Sequence, residues 1–298
     1  MGLATTFRKA ATLARLSGRR QIRLGSSTYR LRSVIINNLA LQDNAVTREP
    51  WLDAVLSSVL TCRHGALLDV GANIGQTMLK LLTLDPARQY VGFEPQVACC
   101  FLVQKFIEDN NLENHAILPV GLSNKNQLVK LQVRSGDYDS AASIIEGFRP
   151  DSFYRSYRYV YVRKGDEVMK ELAISSVSAL KIDVEGAELD VIEGLSGTIQ
   201  EHVPFIIFEV LNSYLVITGE TLDEQTTRFR QSRIERMERI LTEHGYEIYT
   251  ALPENILKKV REIRPAISAD LSLTNYVAVP SRDRGPFLRA FAGCVQEC

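Results

Sequence analysis

The chain has 298 residues, of which 45% are hydrophobic and 23% charged, a composition that suits one large α/β domain with a short extension. No apolar run approaches the roughly 20 residues that cross a bilayer, and nothing at the start resembles a secretory signal, so a soluble, cytoplasmic protein is expected. The formal net charge is +0 with an acidic body, which argues against nucleic-acid binding, and the five cysteines lack metal-ligand spacing.

The first 62 residues are predicted to form a basic extension, because every charged residue before Asp43 is an arginine or a lysine. An apolar stripe within residues 3–17 predicts an amphipathic helix, and residues 21–24 and 28–32 predict a hairpin. The helix is interpreted as docked on the rest of the protein. A peripheral membrane anchor, an organelle transit peptide and an N-myristoyl site at Gly2 are the alternatives.

From residue 49 onwards, predicted helices and strands alternate. Such alternation is typical of a doubly wound, mostly parallel sheet of about seven strands, with ligands at the carboxyl ends of the strands. We expect a domain over residues 63–281 and a C-terminal tail over 282–298. Helices are predicted over 49–62, 74–84, 97–108, 187–199 and 226–244, and strands over 66–70, 89–93, 116–120, 179–184, 205–210, 247–250 and 276–279.

Between residues 128 and 162 the alternation breaks into a stretch rich in hydroxyl groups, tyrosine and arginine. It includes a run of small and acidic residues from Ser135 to Ser143. A loop of this length inside a compact domain is usually functional or disordered. The stretch is interpreted as an insertion that faces the substrate, with a solvated excursion as the alternative.

A glycine turn follows the first buried strand, in the segment Leu67-Leu-Asp-Val-Gly-Ala-Asn-Ile-Gly75. Gly71 and Gly75 allow the backbone to approach a ligand, and the following helix offers free N–H groups. The next strand ends at Glu94, where a carboxylate can accept both ribose hydroxyl protons. A strand-end acid exposed to solvent is the alternative, but the turn and the acid together predict an adenosine site.

The residues of this turn discriminate between two adenosine cofactors. A dinucleotide site requires the pattern Gly-x-Gly-x-x-Gly, whereas three other residues separate Gly71 from Gly75. Asp69 adds a carboxylate, which suits the ammonium of an amino acid better than a pyrophosphate. The turn therefore predicts S-adenosylmethionine, and an NAD-dependent oxidoreductase is the alternative.

Four segments in this order resemble the FkbM-type methyltransferases: residues 67–75, 93–95, 120–123 and above all Leu180-Lys-Ile-Asp-Val-Glu-Gly-Ala-Glu-Leu189. The similarity extends from about Gly65 to Pro280. It implies a Rossmann-like class I methyltransferase fold whose last strand, at residues 275–280, is antiparallel. Asp166 departs from the family pattern, because it lacks the preceding leucine. The residues expected around the donor are Asp69, Gly71, Asn73, Gly75, Glu94, Gly121, Leu122 and Ser123.

The resemblance also implies O-methylation of a hydroxyl on a sugar, glycan or secondary metabolite, and a non-catalytic module that binds the same cofactor is the alternative. Methyl transfer to oxygen needs a base, and we expect it among Asp183, Glu185 and Glu209 at the carboxyl ends of two strands. The four histidines precede strands, at the opposite edge. A divalent metal held by Asp183 and Glu209, with Asn212 nearby, is a second way to acidify the hydroxyl.

Overall fold

The computed structural model describes residues 19–32, 49–134, 138–149, 151–211, 224–264 and 270–297. The predicted hairpin is confirmed, because β1 (Arg19–Leu24) pairs antiparallel with β2 (Ser27–Arg32). The predicted N-terminal helix and Asn212 lie outside the described residues. Within the described residues, no helix combines the length and the apolar character needed to cross a membrane.

The described part of the chain contains a sheet of nine strands, which forms the centre of the molecule. In chain order its strands are β3 (Ala66–Val70), β4 (Tyr90–Phe93), β5 (His115–Leu118), β9 (Val177–Ile182), β10 (Phe205–Glu209), β11 (Tyr246–Leu252), β12 (Ile256–Lys259), β13 (Asn275–Pro280) and β14 (Cys294–Gln296). Their spatial order is β14-β12-β11-β13-β10-β9-β3-β4-β5.

Eight α-helices are described, and together with four short 3-10 helices they connect the strands. The α-helices are α1 (Pro50–Cys62), α2 (Gln76–Leu84), α3 (Val97–Asp109), α4 (Gly165–Leu172), α5 (Glu188–Gly194), α6 (Ser196–His202), α7 (Glu224–Glu243) and α8 (Arg284–Ala290). The 3-10 helices are Asp151–Phe153, Pro253–Asn255, Leu271–Leu273 and Ser281–Asp283.

The predicted fold class is confirmed by the directions of the strands. β5, β4, β3, β9 and β10 are parallel, whereas β13 runs antiparallel to both of its neighbours, β10 and β11. The insertion of β13 between β10 and β11 is the arrangement that the resemblance implied. Two further strands, β12 and β14, extend the sheet beyond the expected seven.

Burial explains why the central strands read as continuous apolar runs. Every residue of β3, β4 and β9 is buried, because helices and the N-terminal hairpin cover both faces of the sheet. One helix layer includes α1, α2 and α3, and the other includes α5, α6 and α7.

The predicted helix 187–199 is divided into α5 and α6. The Asp166 carboxylate caps α6 by accepting from the N–H groups of Gly197 and Thr198, both at 2.8 Å.

The stretch between residues 128 and 162 is not the long loop that the sequence predicted. It contains β7 (Gln127–Val133) and β8 (Ser156–Lys164), which with β6 (Gly121–Ser123) form a separate sheet in the order β6-β8-β7. One face buries Leu131, Val133 and Val160, while Tyr157, Tyr159 and Tyr161 are exposed on the other. Because tyrosines replace polar residues on the exposed face, the two-residue alternation of an antiparallel strand is hidden in the sequence.

Candidate active site

A cleft with a volume of about 220 Å³ opens at the carboxyl ends of β3, β4, β9 and β10, where the topology predicts a ligand site. Eight of the eleven residues expected from the sequence line it, and they come from five different elements or turns. They are Gly71, Asn73, Glu94, Gly121, Leu122, Asp183, Glu185 and Glu209. Asp69, Gly75 and Ser123 do not line the cleft.

The turn after β3 lies against the turn after β9. Gly71 has a φ of +85°, and a Cβ on it would lie 1.9 Å from the carbonyl oxygen of Asp183. Glycine is therefore required at this position by the neighbouring backbone, before any ligand is considered. Asn73 also adopts a left-handed conformation, with φ +49°, which asparagine tolerates better than most residues.

Glu94 lies at the end of β4 with only 3% of its surface exposed. Its carboxylate accepts from the backbone N–H groups of Asn73 at 2.9 Å and Gln96 at 2.8 Å, so both oxygens are held in place. Burial raises the pKa of Glu94 to about 7, although these hydrogen bonds oppose the shift. The carboxylate is therefore fixed at the wall of the cleft, in the position predicted for a ribose contact.

Asp69 is fully buried inside the sheet and does not line the cleft. Its Oδ2 accepts from the hydroxyl of Tyr90 at 2.7 Å, and Oδ1 lies 3.9 Å from the ammonium of Lys181, with no hydrogen-bond partner among the described residues. Burial raises the pKa of Asp69, against the charge of Lys181. Since side chains alternate between the faces of a strand, Val70 reaches the cleft and Asp69 does not.

Gly75 and Ser123 serve packing rather than the cleft. Gly75 precedes α2 with φ +84°, and a Cβ there would meet Val103 of α3 at 3.1 Å. Ser123 is buried at the end of β6, where its carbonyl group is in such close contact with α5 that a Cβ on Gly194 would lie 1.9 Å from it. Both residues therefore position elements around the site.

Three carboxylates converge at the other end of the cleft, and each has a different partner. Asp183 accepts from the ammonium of Lys181 at 3.1 Å. Glu185, with φ +55°, forms an ion pair with the guanidinium of Arg149, and Glu209 accepts from the hydroxyl of Thr274 at 2.7 Å. Asp183 is the most open of the three, since 39% of its side chain is exposed.

Two of these carboxylates, Glu185 and Glu209, have raised pKa values. Burial raises the pKa of Glu185 to about 7, against the favourable charge of Arg149. Burial, followed by the negative charges of Asp183 and Glu185, raises the pKa of Glu209 well above its ordinary value. The ammonium of Lys181 is fixed in its charged form, since the surrounding carboxylates raise its pKa despite its burial.

Oxygens of Asp183, Glu185 and Glu209 lie within 4.8 Å of one another, a spacing that a hard divalent cation accepts. However, Lys181 and Arg149 already place positive charge against two of the three carboxylates. A metal would repel these cations or have to displace them. The residues therefore fit a divalent cation poorly.

Sequence reasoning missed three contributors to the site. Gln96 exchanges two hydrogen bonds with the backbone of Asp139, at 2.9 and 3.0 Å, and so ties residues 139–144 over the cleft. Arg149 lies in a segment with no recognisable pattern. Glu49 lines the cleft from the start of α1, and its position just before Pro50 suggested only a helix boundary. None of the four histidines lines the cleft, as predicted.

The matching family model is described as the methyltransferase FkbM domain, and it covers residues 69–248. Among characterised proteins, 2-O-methyltransferase NoeI of Sinorhizobium fredii is 26% identical over 147 residues, which cover 46% of this chain and 60% of NoeI. The AMB antimetabolite synthetase AmbE of Pseudomonas aeruginosa is 25% identical over 240 residues, covering 68% of this chain and 10% of AmbE. The chain therefore spans only part of either relative.

Two solved structures are more distant. An FkbM methyltransferase from Methylobacillus flagellatus has a TM-score of 0.44 and 16% identity, covering 72% of this chain and 44% of its own. Fibrillarin of Aeropyrum pernix, in complex with S-adenosyl-L-methionine, has a TM-score of 0.43 and 13% identity, covering 89% and 84%. The match over residues 69–248, more than half of the chain, decides the assignment. The chain belongs to the FkbM family of methyltransferases.

Proposed function

We propose that the protein transfers the methyl group of S-adenosylmethionine to a substrate hydroxyl. The observation that carries this proposal is the cleft itself, in which a fixed carboxylate at Glu94 faces a group of acids around Asp183. Ribose hydroxyls would donate to Glu94, and the positive sulfonium would lie toward the acids. A molecule that is a nucleoside at one end and a cation at the other matches this charge distribution.

The donor would be enclosed by three backbone segments. The turn from Gly71 to Asn73 lies below it, and Gly121 and Leu122 of β6 form the wall next to Glu94. Residues 139–144, tied down by Gln96, form the roof. Asp69, Gly75 and Ser123 would then support these segments from behind, without contacting the donor.

Asp183 is proposed as the base. As the substrate oxygen attacks the methyl carbon, the C–S bond breaks and its electron pair stays on sulfur, which leaves S-adenosylhomocysteine. The hydroxyl proton passes to Asp183, which is the most accessible of the three carboxylates. Glu185 is held by Arg149, and Glu209 carries a raised pKa, so these two are assigned to positioning the acceptor.

The acceptor is proposed to be a hydroxyl of a sugar, a glycan or a secondary metabolite. The 2-O-methyltransferase activity in the name of the relative NoeI supports transfer to oxygen.

The domain boundaries 63–281 also remain a proposal. The segment expected as a tail contributes to the fold, because α8 packs on α1 and β14 pairs with β12.

The test combines binding with turnover. Calorimetry should detect S-adenosylhomocysteine, and radiolabelled S-adenosylmethionine should methylate a member of a panel of hydroxylated acceptors. Asp183→Asn should reduce turnover at least about 100-fold with donor binding nearly intact. Asp85→Asn, at the opposite edge of the sheet, is the matched control. Donor binding without turnover on any acceptor would favour a binding module, and a nicotinamide difference spectrum would indicate an oxidoreductase.

A further inference from the structure

The proposed donor carries an α-ammonium, and Asp69, the acid expected to neutralise it, does not line the cleft. Asp69 is fully buried and faces Tyr90 and Lys181. Two acids near the methyl-transfer end also have charged partners, since Asp183 contacts Lys181 and Glu185 contacts Arg149. A further carboxylate is needed if the ammonium is to be paired within the cleft.

Glu49 supplies such a carboxylate. It lines the main cleft, and it also lines a small side cavity that reaches Lys181, Asp183 and Glu209. No cation lies within 4 Å of its carboxylate among the described residues, although most other acids of the cleft have a close donor or cation. The side chain is therefore unpaired where a ligand would lie.

The backbone at Glu49 is consistent with a role other than helix capping. The residue has φ +52° and ψ +61°, a left-handed conformation that glutamate rarely adopts. Its carbonyl oxygen accepts from the N–H group of Leu52 at 3.0 Å, but its side chain makes no capping hydrogen bond with α1. The carboxylate is therefore not used to cap the N–H groups of α1.

Glu49 lies near the charged groups at the carboxyl end of β9, with which it shares the side cavity. The residue as a whole is exposed, yet its carboxyl group lies among enough protein atoms that burial raises its pKa. The charge of Lys181 opposes this shift, and those of Asp183 and Asp69 add to it. Asp69 belongs to β3, which is next to β4 and Glu94. Lys181 and Asp183 belong to β9 and the turn after it, one strand further along the sheet.

Strand spacing completes the placement. Adjacent strands lie about 4.8 Å apart, so a donor whose ribose binds Glu94 on β4 would extend its methionine part across β3 and β9. We infer that the Glu49 carboxylate pairs with the α-ammonium of S-adenosylmethionine. The inference rests on the proposed function, and it concerns a residue outside the 69–248 family match.

The experiment compares two ligands that share the adenosine group. S-adenosylhomocysteine carries the ammonium, whereas 5′-methylthioadenosine lacks the whole amino-acid part. Glu49→Gln should weaken S-adenosylhomocysteine about tenfold in calorimetry and leave 5′-methylthioadenosine unchanged. Glu49→Asp, which retains the charge, should recover part of the affinity. Glu94→Ala should weaken both ligands, because it acts on the ribose.

Glu254→Gln is the matched control, because Glu254 is also a glutamate with positive φ, at +61°, but lies outside the cleft. It should change neither affinity. Equal loss of both ligands in Glu49→Gln, or unchanged S-adenosylhomocysteine binding, would overturn the inference. If the unmodified protein binds neither ligand, the proposed function itself fails, so the two failures are distinguishable.

Discussion

Glu94 provides the sharpest prediction, because its protonation should control donor binding. In the proposed function the ribose hydroxyls donate to an ionised Glu94 carboxylate, but burial raises the pKa of Glu94 to about 7 in the free protein. A raised pKa means that the acceptor is lost as the pH falls through 7. The affinity for S-adenosylhomocysteine should therefore decrease on acidification, in the range where an exposed glutamate would remain ionised.

The size of the effect follows from the ionised fraction. With a pKa of about 7, roughly 0.9 of Glu94 is ionised at pH 8 and roughly 0.1 at pH 6. The dissociation constant should rise about tenfold between these values, and about tenfold more by pH 5. Glu94→Gln should weaken binding at pH 8 by about 1.5 to 3 kcal/mol, the range for hydrogen bonds to charged groups.

Calorimetric titrations at pH 8, 7, 6 and 5 test both parts. Other acids in the cleft also have raised pKa values, Glu185 among them, so the diagnostic observation is the difference between proteins. The pH dependence should be steep in the unmodified protein and largely absent in Glu94→Gln. The same slope in both proteins would refute the assignment of Glu94 as the titrating ribose ligand.

Three further changes have defined outcomes. Gly71→Ala should lower the free energy of unfolding by about 1 to 3 kcal/mol in urea titrations, because its Cβ would lie 1.9 Å from the Asp183 carbonyl oxygen. An unchanged urea midpoint would contradict this contact between the two turns. Lys181→Met should lower the free energy of unfolding by about 3 kcal/mol and reduce turnover. Lys80→Met, which removes a buried ammonium that pairs with the partly exposed Asp53, should lower stability alone; equal turnover in the two variants would show that Lys181 does not act on Asp183. Exhaustive chelation should leave turnover intact, since the acids already have cationic partners, and lost activity restored by Mg²⁺ would overturn this.

The sequence predicts the central fold well because its signals are local. β3 was predicted with its observed bounds, Ala66–Val70, since a buried apolar strand followed directly by a glycine turn leaves little freedom. Glu94 was recognised by its distance from that turn. The strands β12 and β14 were missed, because they have only 4 and 3 residues and neither has a continuous apolar run. β14 also pairs with β12, which is distant from it in sequence.

The prediction for Asp69 shows a different limit. The sequence places Asp69 and Val70 together at the end of a strand, but it does not tell which of them faces the ligand edge. A strand buried on both faces does not alternate between apolar and polar residues. The sequence therefore does not indicate which side chains point to which face of the sheet. Arg149 shows a similar limit. Its pairing with Glu185 depends on how the segment between β7 and β8 folds, and no local sequence pattern predicts that conformation.

In the proposed mechanism, two buried cations determine which carboxylate can act as the base. Arg149 pairs with Glu185, and burial, followed by the nearby negative charges, raises the pKa of Glu209, so neither is favoured as the base. Lys181 contacts one oxygen of Asp183 at 3.1 Å and leaves the other without a partner among the described residues. Asp183 is thereby held by a fixed charge on one side and open to the cleft on the other. Positioning of this kind lets a weak carboxylate base act, because the cost of orienting it is met during folding.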